Sequence, residues 1–231
     1  MVASPVSAAA GDITIADHEG QLTPLAAENW SNGNIKTYSE GDSINFRFDV
    51  STLVDDSIGT IDVEFAEDDG KCLFFDGTFV LGTHNSSHPA VENVSGTSPA
   101  VSLVGGPTDV GDHWSQTVQF DFSDGPGEAV VYYYLTLSDD AGACVGSSTH
   151  TSFGDNGGDV GNTGSQEVSV PAKDVLVLPD ITIYKVVDDD GDGLTDRPAT
   201  AGEWDFTLDE GVPVPTDDAG KVVYENVAGG D

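Results

Sequence analysis

Basic residues are scarce in this chain. Of 231 residues only seven are Lys or Arg, against 41 Asp and Glu, so the formal charge is −34. So few cations cannot neutralise a run of phosphates, which excludes nucleic-acid binding. Anionic membrane surfaces repel such a chain for the same reason, so membrane insertion is not expected. Long apolar runs are missing too: none reaches 18 residues, and no window holds a 3.6-residue period. Cysteine is limited to Cys72 and Cys144, with no CxxC pair, so a cysteine zinc site is excluded. No P-loop, GxGxxG or GxSxG occurs. No pair of carboxylates stands out for glycoside hydrolysis, so no catalytic residue is assigned and an enzyme is not expected.

What is present argues for a packed β protein. The chain is 38% apolar and holds ten Phe, six Tyr and three Trp, which is too much core material for a disordered acidic chain. Gly and Pro recur between short apolar runs, as they do between the strands of all-β folds. Ile44, Phe46, Phe48 and Val50 alternate with Asn45, Arg47 and Asp49. Ile61, Val63 and Phe65 do the same, as do Val118, Phe120 and Phe122. Period 2 puts each apolar set on one face of a half-buried antiparallel strand. Residues 129–137 (AVVYYYLTL) are apolar on both faces and read as a central strand covered on both sides. With shorter runs at 12–16, 72–75, 78–81, 100–104, 149–153 and 166–170, the set suits an antiparallel β-sandwich, Ig-like or jelly-roll-like. Residues 82–99 and 154–165 are rich in Gly, Ser, Asn and Asp and read as surface loops.

The expected organisation is a flexible segment over 1–11, a β-sandwich over 12–175 and a smaller module over 180–231. Residues 1–10 are small and apolar, and read either as the tail of a signal peptide or as a plain terminus. Cys72 and Cys144 sit at the ends of apolar runs and form either one disulfide or two buried thiols. A bridge closing a loop of about 70 residues contributes about 4 kcal/mol and places the chain in an oxidising, extracytoplasmic compartment. Asn-x-Ser sequons at Asn29, Asn85 and Asn93 agree with a secreted protein.

The most specific motif is Asp188-Asp189-Asp190-Gly191-Asp192-Gly193-Leu194-Thr195-Asp196. Carboxylates at alternate positions converge when the chain coils tightly, and hard oxygen ligands at that spacing suit calcium (Ca2+). Asp188, Asp190 and Asp192 would supply side chains, Leu194 its carbonyl, and Asp196 a direct or water-mediated ligand. The motif is like the first nine positions of an EF-hand loop, but Ala199 stands where a bidentate Glu closes that loop. A solvated acidic turn is the alternative. A weaker stretch, residues 155–159, is a second calcium candidate or a plain loop. His84 and His88 have H-x3-H spacing but no third ligand nearby, so zinc is not expected.

Three stretches near the end belong together: Ile181-Thr182-Ile183-Tyr184-Lys185-Val186, Ala201-Gly202-Glu203-Trp204-Asp205-Phe206-Thr207-Leu208, and residues 216–227 (TDDAGKVVYENV). They resemble the Cna-B-type, prealbumin-like modules of prokaryotic surface proteins and pilins. The resemblance implies a small β-sandwich that continues with further strands after this hairpin. Here the module is incomplete, so either it belongs to a longer protein or another chain completes it by strand addition. Residues 12–16 are a candidate donor strand. Many such modules form a Lys–Asn or Lys–Asp isopeptide bond, but the strand carrying the acceptor is absent, so Lys185 reads as an ordinary strand lysine.

The resulting expectation is a secreted, calcium-stabilised structural surface protein. It is an adhesin segment or the subunit of an extracellular filament, partnered by its own copies or by neighbouring domains. The alternative is a carbohydrate- or protein-binding module, with Trp30, Trp114 and Trp204 as stacking platforms. The charge itself is diffuse, as in halophilic proteins, and only residues 188–196 concentrate it.

Overall fold

The computed structural model describes residues 11–22, 29–66, 73–84, 88–111, 113–144, 149–161, 163, 166–171, 174–175, 181–187, 197–207 and 212–224. The chain divides into two units, Met1–Leu176 and Val177–Asp231. In the first unit the strands are β1 (Ile13–Gln21), β2 (Trp30–Ser31), β3 (Ser43–Thr52), β4 (Ser57–Ala66), β5 (Phe75–Leu81) and β6 (Val91–Gly96). They are followed by β7 (Ala100–Asp109), β8 (His113–Phe122), β9 (Gly127–Leu137), β10 (His150–Gly158) and β11 (Glu167–Ser169). A six-stranded sheet has the order β2-β1-β3-β9-β5, with β6 also paired to β9. A five-stranded sheet has the order β11-β10-β4-β8-β7. All these pairings are antiparallel.

The period-2 pattern builds the core as expected. Ile44, Phe46, Phe48 and Val50 of β3 are buried, and so are Ile61, Val63 and Phe65 of β4 and Val118, Phe120 and Phe122 of β8. One apolar cluster draws on both sheets, which makes the unit a sandwich. Phe48 meets Phe120 edge-on at 6.0 Å, and Phe65 meets Phe75 edge-on at 5.9 Å. Each such ring contributes about 1.5–3 kcal/mol by leaving water.

β9 is central, between β3 on one edge and β5 and β6 on the other. Its inward residues Ala129, Val131, Tyr133, Leu135 and Leu137 are buried. Outward-facing Tyr132 is buried as well, with His88 stacked on its ring and Trp30 beside it, while Gly82 N–H donates to Tyr132 O and Tyr132 N–H donates to Ala90 O.

Three expectations need correction. Residues 82–99 are not simply loop, since they contain β6, which pairs with β9 from Val91↔Val131 to Gly96↔Gly127. β6 is held by backbone bonds with mostly exposed side chains, so it has no alternating pattern to read. Residues 154–165 are likewise not all loop. β10 runs to Gly158 and pairs with β4 beyond a register shift between Phe153 and Asn156. Its Gly158 is required, because φ is +64° and a Cβ there would lie 2.5 Å from the backbone oxygen of Ile58. Residues 12–16 are not a free donor strand: β1 pairs with β3 from Ile13↔Thr52 onward, and Ile13 and Ile15 lie in the unit's own core.

The second unit has three two-stranded antiparallel ladders. β12 (Ile181–Tyr184) pairs with β17 (Lys221–Tyr224), β13 (Val186–Val187) with β14 (Arg197–Pro198), and β15 (Asp205–Phe206) with β16 (Val214–Pro215). Among its described apolar residues only Ala199 and Val222 are buried, while Ile181, Tyr184, Val186, Trp204 and Val212 are exposed. A 3-10 turn spans Ala141–Ala143, and among the described residues no helix is long and apolar enough to cross a membrane.

Candidate functional site

Among the described residues, one group of surface chemistry lies on the outward face of the six-stranded sheet. Alternation along β3 turns Asn45, Arg47 and Asp49 outward while its apolar set goes in. Register then places Arg47 opposite both Glu19 of β1 and Tyr132 of β9, and pairs Trp30 of β2 with Gln21 of β1. Arg47 donates from Nε and Nη2 to Glu19 Oε2 at 2.9 and 2.6 Å. The same guanidinium stands 4.9 Å from the centre of the half-buried Trp30 ring, a cation–π contact. Trp30 in turn lies 5.7 Å from Tyr132, on which His88 stacks at 4.7 Å and 16°. Tyr132 donates its hydroxyl to Glu92 Oε2 at 2.9 Å, and burial, with the Glu92 contact, pushes that hydroxyl up to about 12.

Asn45 clips the adjoining chain to this face. Its Oδ1 accepts from His84 N–H at 2.6 Å, and its Nδ2 donates to Gln21 Oε1 at 2.7 Å and His84 O at 3.1 Å. His84 and His88 therefore pack on Tyr134 and Tyr132 respectively. Among the described residues no group of three or more His, Cys, Asp or Glu is arranged to hold a metal ion. Asp49 lies beside this face. Burial and the Asp17 carboxylate raise its pKa, Arg47 opposes them, and Glu128 and Glu19 add to the rise. In chemical terms the face offers an aromatic surface edged by a guanidinium and carboxylates, which suits stacking and hydrogen bonding.

A second polar group lies inside the sandwich. β1 shifts register between Ala16 and Glu19, with Asp17 at φ 50°, and the bulge turns His18 into the core. His18 Nδ1 is 3.2 Å from Gln166 O, and Nε2 is 2.7 Å from the Tyr133 hydroxyl. A carbonyl can only accept, so Nδ1 carries the proton and Nε2 accepts from Tyr133. The Thr151 hydroxyl, 3.1 Å away, then donates to the Tyr133 oxygen. Burial lowers the His18 pKa from 6.5 to about 4, so the ring is neutral near pH 7. His18 also stacks on Phe153 at 4.5 Å. The cluster links the two sheets by hydrogen bonds inside an apolar core. In sequence, His18 sits between Asp17 and Glu19 with no apolar neighbour to mark it as interior.

The calcium ligands expected from sequence, Asp188, Asp190, Asp192, Leu194 and Asp196, lie outside the described residues. The flanking residues are described: Val187 pairs with Arg197, so the acidic segment joins the two strands of one ladder. At the weaker candidate, 155–159, two side chains are engaged in hydrogen bonds. Asp159 Oδ2 accepts from Ile58 N–H at 2.8 Å, and Asn156 donates to Gly161 O at 2.5 Å, so both side chains brace the end of β10. Cys144 is buried just after the 3-10 turn, and no described cysteine is free; Cys72 lies outside the described residues.

The three Trp are in different settings. Trp30 lies on the outer face, Trp114 packs against the core, and Trp204 is exposed in the second unit with Lys185 Nζ 4.5 Å from its ring centre. Trp30 is grouped with Arg47, Tyr132 and His88, and its short strand carried no pattern to single it out.

The fold and its surface define an antiparallel β-sandwich module followed by a smaller β unit. No protein-family model matches the chain, and no curated protein matches it. Among solved structures it is similar to a DUF4466 family protein from Parabacteroides merdae, at 14% identity and a TM-score of 0.33, over 77% of this chain and 50% of that one. It is also similar to a non-cellulosomal cohesin from the hyperthermophilic archaeon Archaeoglobus fulgidus, at 12% identity and a TM-score of 0.28, over 71% of this chain and 86% of that one. The chain thus spans half the length of the first of these proteins. Neither likeness bears on a ligand or a partner.

Proposed function

We propose that this chain is a non-enzymatic structural module of a secreted surface protein, an adhesin segment or the subunit of an extracellular filament. One observation carries the reading: the second unit leaves Ile181, Tyr184, Val186, Trp204 and Val212 exposed while burying only Ala199 and Val222 among its described apolar residues. A unit of short ladders with an uncovered apolar surface gains stability when further strands cover it, from a neighbouring domain or another copy. The Cna-B-like stretches of residues 181–227 support the same reading. Calcium held by Asp188, Asp190, Asp192, Leu194 and Asp196 rigidifies this unit, because an ion that binds only the folded state stabilises it by mass action. A Cys72–Cys144 bridge braces the sandwich outside the cell.

The test is electron microscopy with analytical ultracentrifugation, with calcium and with EDTA. Assemblies larger than a monomer, and a lower melting temperature in EDTA, are expected. A monomer with bare second units under every condition overturns the assembly role, and an unchanged melting temperature in EDTA removes calcium from it.

The Trp30 face favours a second reading, a carbohydrate- or protein-binding module. A half-buried indole beside Arg47 and Glu19 offers a stacking surface with polar groups at its rim. Binding on a glycan array that Trp30→Ala abolishes without unfolding the chain supports it, and an array without hits removes the glycan.

A further inference from the structure

Among the described residues, two polar atoms of β8 are buried without a hydrogen-bond partner, the indole Nε1 of Trp114 and the amide Oε1 of Gln116. The residues are two apart, so the strand's alternation points both to the interior. Gln116 is fully buried and spends its Nε2 on Thr117 O at 2.9 Å, which leaves Oε1 as an acceptor only. Trp114 Nε1 is a donor only. One group lacks what the other has.

The surroundings are irregular on both edges. On β7 the ladder with β8 breaks after Val104↔Thr117 and resumes at Thr108↔Ser115, so Gly105, Gly106 and Pro107 bulge out of register beside Gln116. A Cβ at Gly105 or Gly106 would meet nothing within 4 Å, so the bulge stands clear of its neighbours. In the other sheet β5 shifts register between Phe75 and Phe79. Gly77, within that shift, lies against Trp114: a Cβ there would be 3.1 Å from Cε2, the ring carbon bonded to Nε1. β5 and β7 approach each other along this side of the sandwich. Two interrupted edge strands thus flank one buried donor and one buried acceptor.

We propose that this side of the sandwich holds an ordered internal water that accepts from Trp114 Nε1 and donates to Gln116 Oε1. Water both accepts and donates, as one leftover donor and one leftover acceptor on the same strand face require, and buried polar groups without protein partners are the usual hosts of such waters. A bulge also frees backbone groups from the ladder, which supplies the further partner a buried water takes.

The experiment is NMR on the folded full chain, reading magnetisation transfer from water to the Trp114 indole proton. A cross-peak from a long-lived water is expected, and its absence overturns the proposal. Gln116→Met keeps the side-chain length and removes the acceptor. With the water bridge, this change abolishes the cross-peak and lowers the melting temperature by about 2–4 °C. A melting temperature that rises instead means Oε1 was simply orphaned, and overturns the bridge. Repeating Gln116→Met in a Trp114→Phe background separates the bridge from the lost Thr117 contact: the effect shrinks if both side chains share a water, and equal effects in the two backgrounds overturn it.

Discussion

β3 of the first unit and β12 of the second both alternate apolar residues, yet they end differently. Ile44, Phe46, Phe48 and Val50 of β3 are all buried. None of the four residues of β12 is buried, and Ile181 and Tyr184 are exposed. For β3 a second layer supplies the burial. β3 faces Phe120 of β8 and Phe153 of β10 across the sandwich. Alternation makes a strand with an apolar side, and only an opposing sheet turns that side into core.

The same contrast runs through the charged contacts. Arg47 and Glu19 are braced on a six-stranded sheet, with an aromatic ring against the guanidinium. Arg197 and Glu203 form a forked pair within the small unit, at 2.8 and 3.0 Å. The Arg197 guanidinium and the Thr200 N–H hold the Glu203 carboxyl down at about 2. Here a solvent-exposed pair orders a turn, in a unit whose described residues bury little else.

If the two units differ in this way, Phe48→Ala carries the largest cost, about 3–5 kcal/mol in urea unfolding, because it opens a cavity between the sheets. A cost below about 1 kcal/mol means the first unit is not so tightly cored. His18 comes next. Its folded pKa of about 4 lies below the ordinary 6.5, so between those values the unfolded chain binds the extra proton. Its contribution is complete above pH 6.5 and is lost as pH falls towards 4, a total of about 3 kcal/mol. Urea midpoints at pH 7 and 4.5 read that slope, and His18→Phe flattens it. An imidazole that titrates near 6.5 by NMR contradicts a closed core.

Arg47→Met has a smaller effect, at most about 1 kcal/mol, since the ion pair is partly exposed. A shift in Trp30 fluorescence without unfolding checks that the ring has lost its cation. Tyr184→Ser is the smallest, within about 0.5 kcal/mol by thermal unfolding of the monomer. If it instead unfolds the second unit, that unit has a core of its own and the contrast fails.

Period 2 made β3, β4, β8 and the inner face of β9 legible in the sequence, because burial on one side is written locally every second residue. β6 was not legible, since its place depends on the free edge of β9 and not on its own side chains. The glycines of 154–158 read as loop because close approach to β4 and loop flexibility both select glycine. The Trp30 face was visible only as three candidate tryptophans, and nothing near residue 30 marks a partner at Arg47 or at Tyr132.

Local patterning was therefore sufficient for the all-β class, for the alternating strands and for the Asp spacing of 188–196, since each is a property of residues close along the chain. Which tryptophan joins a polar cluster, which histidine turns inward and which strand edge bulges were decided by register between distant segments. Glu19 reaches Arg47, His18 reaches Tyr133, and the β7 bulge lies beside Gln116, only after the sheets have paired. A one-residue slip in any of those ladders would turn the side chains to the opposite face, so such sites are products of the folded sheet.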